Sequence, residues 1–449
     1  MPSKSEILSF AELAVKNALQ SGADQAEAYG EISRRITISI SGRKIQSVQV
    51  IHDSGVGVRT YINGGLGYAY TMRLDKQTIK ETAVKAAKLA KVSEKDPYFK
   101  SIPEAEKPKS VEGIYDQELA SLQVAGLAKI AEDMIKTAQE RSRKIILTGT
   151  LYTITRSYAI ANSLGVEFEE SGTNIFTYMK GIIRESASNV GSGTEFDCAR
   201  NLKDFNAKWV AYEVATKALR ALGAKVSKTR TCTILLSPNA TYRFSQTLSS
   251  GLDGLNVALD RSYLSGMIGK KIASEKLTLT DDGLVEKGFL SSSVDSEGVP
   301  KRRFNVIENG VLKTYLHNSY TANRLNMENN ACAARDSYKS APIFTTLSNV
   351  QIKPGDQELD EITSEIKDGV YLDSFPMFSD PVTGNISSMI DFGIDIRNGE
   401  LAEPIKGTMI GFNMLELLKN INAISKEARR TAGMIMPYIR IKDIQITGK

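Results

Sequence analysis

Histidine, cysteine and tryptophan are nearly missing from this chain, with two, three and one among 449 residues. His52 and His317 stand far apart, so no local H-x-x-x-H spacing exists to hold a metal. A serine hydrolase needs a histidine near its nucleophile, and neither histidine lies beside a G-x-S-x-G elbow. Cys198, Cys232 and Cys332 are odd in number, widely separated and in no C-x-x-C arrangement. That pattern argues against a disulfide framework or zinc ribbon and for buried small apolar side chains. Long hydrophobic runs are lacking too. The longest are strand-sized and mean hydropathy is -0.21, which excludes a helical membrane protein. The opening residues put Ile7, Leu8, Ala11, Leu13 to Val15, Ala18 and Leu19 at helical spacing with charges between, unlike a signal peptide, so the expected location is the cytoplasm.

A dominant charge is also absent. Lysine and arginine total 57 against 52 acidic residues, a net charge of +5. The basic triplets at 33–35, 301–303 and 428–430 read as solvated surface, and no nucleic-acid partner is expected. "GVGV" at 55–58 and "GGLG" at 64–67 lack the glycine order that cradles phosphate and read as hairpin turns. Asp281, Asp282, Asp295 and Glu297 could bind a cation through oxygen, but Asp beside Gly is the usual chemistry of turns, and that is the reading adopted.

What is present is an ordinary globular composition, 41% hydrophobic and 24% charged, in a chain too long for one core. Periodicity predicts an α+β protein: two smaller helix and antiparallel-strand modules followed by a larger, predominantly antiparallel β C-terminal domain. The expected boundaries are a first module at 1–94, a proline-rich charged linker at 95–113, a central module at 114–224 and the C-terminal domain at 229–449. Asp75 is the expected N-cap of a helix ending the first module, and a helix from about Asp116 to Arg143 opens the second.

Within the C-terminal domain "RFSQTLSSGLDG" (243–254) follows the strand-like "TCTILL". Ser237 is a candidate N-cap with Pro238 at the first helical position, and Gly251 and Gly254 are expected to close the helix. Ser245, Gln246, Ser249 and Ser250 between them have no useful pKa near neutrality.

The opening block "GADQAEAYGEISRRITISISGRKIQSVQVIHDSGVGVRTYINGGLGYAYT" resembles the first domain of the TldD/PmbA family. So do the later blocks "VDSEGVPKRRFNVIENGVLKTYLHNSYTANRL", "DPVTGNISSMIDFGIDIRNGELAEPIKGTMIGFNMLELLKNI" and "IRIKDIQITGK" in the C-terminal region. The resemblance covers essentially the whole chain and is closest to the PmbA branch, also called TldE and labelled modulator of DNA gyrase. The family's catalytic branch carries an H-E-x-x-x-H pattern followed by Gly and an acidic residue, with a cysteine near the C-terminus. Laid on this chain, Ser245 falls at the first His, Gln246 at the Glu and Ser250 at the second His, while Gly251, Leu252, Asp253 and Gly254 keep the frame. The segment of the cysteine reads "RTAGMIMPYIRI". Serine hydroxyls do not replace imidazoles as zinc ligands, and the amide of Gln246 is no general base.

The resemblance therefore implies no catalytic, metal or cofactor residue in this chain, with zinc in a TldD-like metallopeptidase paralogue. The two would form a cytoplasmic protease acting on unfolded or flexible peptides, as a homo- or hetero-oligomer with no membrane partner. The stretch "GTMIGFNMLELLKNI", with Met409, Ile410, Phe412, Met414, Leu415, Leu417 and Leu418, is either part of the partner interface or core of its own domain. The alternatives are a peptide-binding or regulatory homodimer without proteolysis and, against the missing ligands, an active homomeric metallopeptidase.

Overall fold

The computed structural model describes residues 4–340 and 343–449. Helix α1 (Lys4–Gln20) leads into a meander of β1 (Gln25–Gly42), β2 (Lys44–Ile62) and β3 (Gly65–Thr71), which α2 (Lys76–Val92) closes. The order then repeats. Helices α3 (Gln117–Ser121) and α4 (Val124–Arg141) precede β4 (Ile146–Asn162), β5 (Glu167–Arg184), β6 (Val190–Ala199) and α5 (Ala207–Arg220). Asp75 caps α2 by accepting from Thr78 N at 2.8 Å, and Asp116 caps α3 from Leu119 N at 2.7 Å. The helix expected over 116–143 is broken at Leu122, whose carbonyl accepts from the Arg34 guanidinium at 3.0 Å.

All six strands join in one antiparallel sheet, β3-β2-β1-β4-β5-β6, so the two modules share their backbone hydrogen bonding. β1 pairs with β4 from Glu27 opposite Asn162 to Gly42 opposite Leu147. Alternation explains the arrangement. Ala26, Ala28, Ile36, Ile38 and Ile40 all point to one face and are buried. The alanine half lies beneath α1 and α2, and the isoleucine half packs with residues of α4 and α5. Gly55 and Gly57 lie inside β2 rather than in a turn. A Cβ would come within 2.1 Å of the Tyr338 ring at Gly55 and 2.2 Å of the Tyr338 carbonyl at Gly57, so glycine serves close approach here. Asn63 and Gly64, both at positive φ, make the turn into β3.

The C-terminal sheet runs, in spatial order, Val311–Leu312, Arg303–Glu308, Leu279–Asp282, Asn349–Ile352, Met434–Thr447, Arg230–Leu236, Asp368–Ser374, Phe392–Arg397 and Glu400–Ile405. Two contacts are parallel, Arg230–Leu236 with Asp368–Ser374 and Asn349–Ile352 with Met434–Thr447, and the others are antiparallel. The mixed, mostly antiparallel architecture expected from the sequence is the one found. Ile410, Met414, Leu417 and Leu418 are buried in this domain's core, and Met409 stays partly exposed. Among the described residues no helix is long and apolar enough to cross a membrane.

Candidate functional site

The strand Arg230–Leu236 (β7) hands over to helix α6 (Pro238–Leu252) through Ser237, whose Oγ accepts from Ala240 N at 3.2 Å. Ala240, Phe244, Leu248 and Leu252, four apart, bury the inner face of α6 in the C-terminal core. The glycines that frame the motif do not close it. The chain bends at Asp253, which caps a further turn, Gly254–Ala258. Gly251 lies against the Tyr263 ring and Gly254 against the Leu316 carbonyl, at 2.6 Å from an added Cβ in each case, so packing rather than helix termination uses them.

The outer face of α6 meets the six-stranded sheet. Asn239, Arg243, Gln246, Thr247 and Ser250 line a cleft of about 520 Å³ with Tyr178 and Thr194 opposite and Asp373 to Ser379 along one rim. Gln246 also borders a second cavity of about 370 Å³, walled by Tyr29, Arg156, Tyr158, Glu170 and Asn174 of the sheet, by Arg200 just past β6, and by Asp295, Lys301 and Arg335. Its exposed amide therefore stands between the two halves. Ser245 is completely buried, and its hydroxyl donates to the Tyr242 carbonyl at 2.8 Å. Ser250 donates to Thr247 O at 2.9 Å and lies 3.4 Å from Ser379 Oγ. Five residues turn a regular helix by about 140° beyond a full circle, so Ser245 and Ser250 do not share a face, whereas Gln246 and Ser250 do.

These side chains do not fit a zinc ion. Two hydroxyls engaged with helix carbonyls and a neutral amide are not a zinc donor set. Among the described residues no three His, Cys, Asp or Glu side chains are grouped to hold a metal. His317 is buried with Nδ1 3.3 Å from Thr321 Oγ1, and burial lowers its pKa to about 4. His52 is exposed on β2. Burial raises the thiol pKa of Cys198 and of Cys232 to about 12, and that of Cys332 higher still.

The charged groups that join the sheet to the C-terminal domain carry no local motif. Glu27 is buried with Arg59 Nη2 2.8 Å from its Oε2, and Arg335 donates to its Oε1. Arg59 also reaches Glu297 at 3.1 Å, and Glu297 accepts from Ser319 N at 2.8 Å. Burial alone would raise Glu27, but Arg59 and Arg335 outweigh it and hold the carboxyl below its usual range. This network ties the sheet to the C-terminal domain. Arg200 is buried too, donating to Gly288 O, Thr173 O and Ser291 O at 2.9, 3.4 and 2.6 Å, and burial lowers its pKa to about 10. Asp295 accepts from Glu297 N and Val299 N at 2.8 and 3.0 Å, in keeping with a turn role. Burial, with the Glu297 carboxylate beside it, pushes it up to about 7.

Three consecutive family matches span the chain. Residues 26–90 match PmbA/TldA metallopeptidase domain 1, residues 101–222 the central domain and residues 229–448 the C-terminal domain. The chain belongs to the PmbA/TldD metallopeptidase family. A metalloprotease of Methanothermobacter thermautotrophicus is 27% identical over 95% of this chain and 96% of its own. A metalloprotease PmbA homologue of Haemophilus influenzae is 21% identical over 99% and 96%. The crystal structure of TldE from Thermococcus kodakarensis is similar with a TM-score of 0.87 and 26% identity, over 98% of this chain and 100% of that one. In this PmbA/TldD chain the family's three-domain frame encloses the cleft, and α6 presents Gln246 and Ser250 to it.

Proposed function

We propose that this chain is the metal-free, non-catalytic subunit of a TldD/TldE-type cytoplasmic metalloprotease that acts on unfolded or flexible peptides. A TldD-like paralogue would supply zinc, water and base, and this subunit would help enclose and position the peptide. The observation that carries the reading is the cleft face of α6, where a neutral amide and a hydroxyl stand at the positions that the family resemblance assigns to a base and a ligand. A protein of this shape without such groups still offers strand edges and a walled cleft, which hold an extended chain through its main chain almost regardless of sequence. The test is to mix the chain with a paralogue bearing H-E-x-x-x-H and to follow mass by light scattering and cleavage of an unfolded peptide. The expected result is a stable hetero-complex that cleaves while this chain alone does not. A paralogue that cleaves equally well alone and forms no complex at micromolar concentration would sink the proposal and favour a peptide-binding homodimer.

A further inference from the structure

The far half of the six-stranded sheet has an open edge and an unbalanced charge. β3 pairs with β2 only from Val56 to Ile62, so residues 44–55 of β2 have no strand on their outer side among the described residues. Most of residues 44–52 are exposed, with Val48, Val50 and Ile51 each more than 40% accessible. The run "IQSVQVI" (45–51) contains no charge, proline or glycine, and its one irregularity is a bulge at Gln46, since Ser39 faces Ser47 while Ile40 faces Ile45. Charge, proline and bulges are the devices by which an exposed edge is normally blunted, and residues 47–51, beyond the bulge, carry none of them.

Charge adds a second, independent observation. Residues 33–42 of β1, 44–51 of β2, 146–154 of β4 and 172–184 of β5 include no aspartate or glutamate. They carry Arg34, Arg35, Lys44, Lys180 and Arg184, with Arg43 in the turn. Arg35 lies over the Tyr152 ring at 4.1 Å, and Arg34 is spent on the Leu122 carbonyl and on Gln123. The carboxylates of β6 stand at the opposite edge, where Glu195 pairs with Lys217 and Arg429. Asp53, near the far end of the open stretch, pairs with Lys339 at 2.7 Å.

We propose that the open edge of β2 at residues 44–51 binds an extended, acidic peptide segment, which adds to the sheet as a seventh strand. This rests on the reading that the chain handles extended peptides, and assigns one class of them a place outside the α6 cleft. Eight residues of strand span about 26 Å, and self-pairing of two such edges buries on the order of 300 Å² a side, well short of the roughly 800 Å² a side of a stable dimer. Two copies would also bring the same cations together, whereas glutamate and aspartate on an added strand would meet them. Ile51, Arg35, Ile154 and Asn174 are successive cross-strand neighbours, and the last two line the cavity beside Gln246. A segment on the edge therefore lies three strand spacings, about 14 Å, from that cavity's wall.

The experiment uses the full chain without any paralogue, so its outcome is independent of complex formation. The probe is a fluorescein-labelled ten-residue peptide alternating valine with glutamate and threonine, compared with its lysine counterpart by anisotropy. Amide hydrogen exchange maps the site. Expected are tighter binding of the acidic peptide by about tenfold, weakening with salt, and slowed exchange at amides within 45–51. Lys44→Glu, and Arg35→Glu with Lys44→Glu, should weaken the acidic peptide progressively, to about tenfold in the double variant, and improve the lysine peptide. The proposal is overturned if both peptides bind alike, if charge reversal changes nothing, or if protection appears only around α6. It also fails if 45–51 are protected without peptide in a chain of dimeric mass, which would make a second copy the occupant, or if oligothymidylate outcompetes the acidic peptide.

Discussion

Removing the Glu27 carboxylate tests whether the buried ion network holds the sheet to the C-terminal domain. Glu27→Gln keeps the volume and one acceptor but leaves Arg59 and Arg335 facing each other in a buried space that only Glu297 partly neutralises. Breaking a buried pair from one side costs about 3–5 kcal/mol, and because Glu297 still serves Arg59 the low end, about 3 kcal/mol, is expected. That is a large part of a typical total of about 5–15 kcal/mol. Urea unfolding can be followed through the single tryptophan, Trp209 on α5, which lies 4.6 Å from the Arg429 guanidinium of the C-terminal domain and so reports the same interface. Glu358→Gln, which breaks the exposed pair with Lys426, is the control and should leave the urea midpoint nearly unchanged. The pH dependence has a definite sign. A carboxyl held below its ordinary value of 4.5 contributes stability that is fully present above that value and is lost as pH falls through the folded-state pKa. The gap between parent and Glu27→Gln should therefore be widest near neutrality and close in acid. A cost under about 1 kcal/mol at pH 7, or a gap that grows on acidification, would refute the reasoning.

Three further outcomes are expected. Purified alone and dialysed against a weak chelator, the chain should hold far less than one zinc by elemental analysis, because α6 offers no donor set. Ser245→His, Gln246→Glu and Ser250→His together should not bind zinc stoichiometrically, since positions 245 and 250 diverge around the helix, and an imidazole at the fully buried position 245 should cost about 1–3 kcal/mol by overpacking, read from urea midpoints. His317, lowered from 6.5 to about 4 by burial, contributes stability that is present above pH 6.5 and is lost as pH falls toward 4, a loss of about 3 kcal/mol that His317→Phe should abolish over that window.

Local chemistry was legible wherever a residue acts on its own neighbours. Asp75 and Ser237 cap the helices expected of them because a side-chain oxygen satisfying a free N–H two or three positions on needs nothing from the rest of the fold. Gly64 turns because glycine takes a positive φ without a Cβ penalty, which is equally local. Legibility ended where a residue answers to something distant. Gly55 and Gly57 have the composition of a turn, yet they lie in a strand because Tyr338, far along the chain, occupies the space of their side chains. Glu27 and Glu31 alternate with Ala26 and Ala28 in β1, a pattern that reads as a strand with one wet face; the C-terminal domain covers that face and converts both to buried charges.

The motif itself divides along the same line. That Ser245, Gln246 and Ser250 are poor ligands follows from their chemistry and needs no structure. Which of them meets the cleft is a matter of helix phase. Arg243, Gln246, Thr247 and Ser250 recur at intervals of three, one and three residues, placing them on one side of α6, while Ser245 falls with Phe244 and Leu248 on the other. An H-E-x-x-x-H pattern on a regular helix would thus turn its two imidazoles apart, and bringing them together requires an extra residue in one turn, as in a π-bulge. Here α6 is a regular helix, in which Ser245 and Ser250 each bond back three residues, to the Tyr242 and Thr247 carbonyls. With α6 regular, histidines at 245 and 250 would point to different faces, so restoring the side chains alone does not bring two imidazoles together at the cleft.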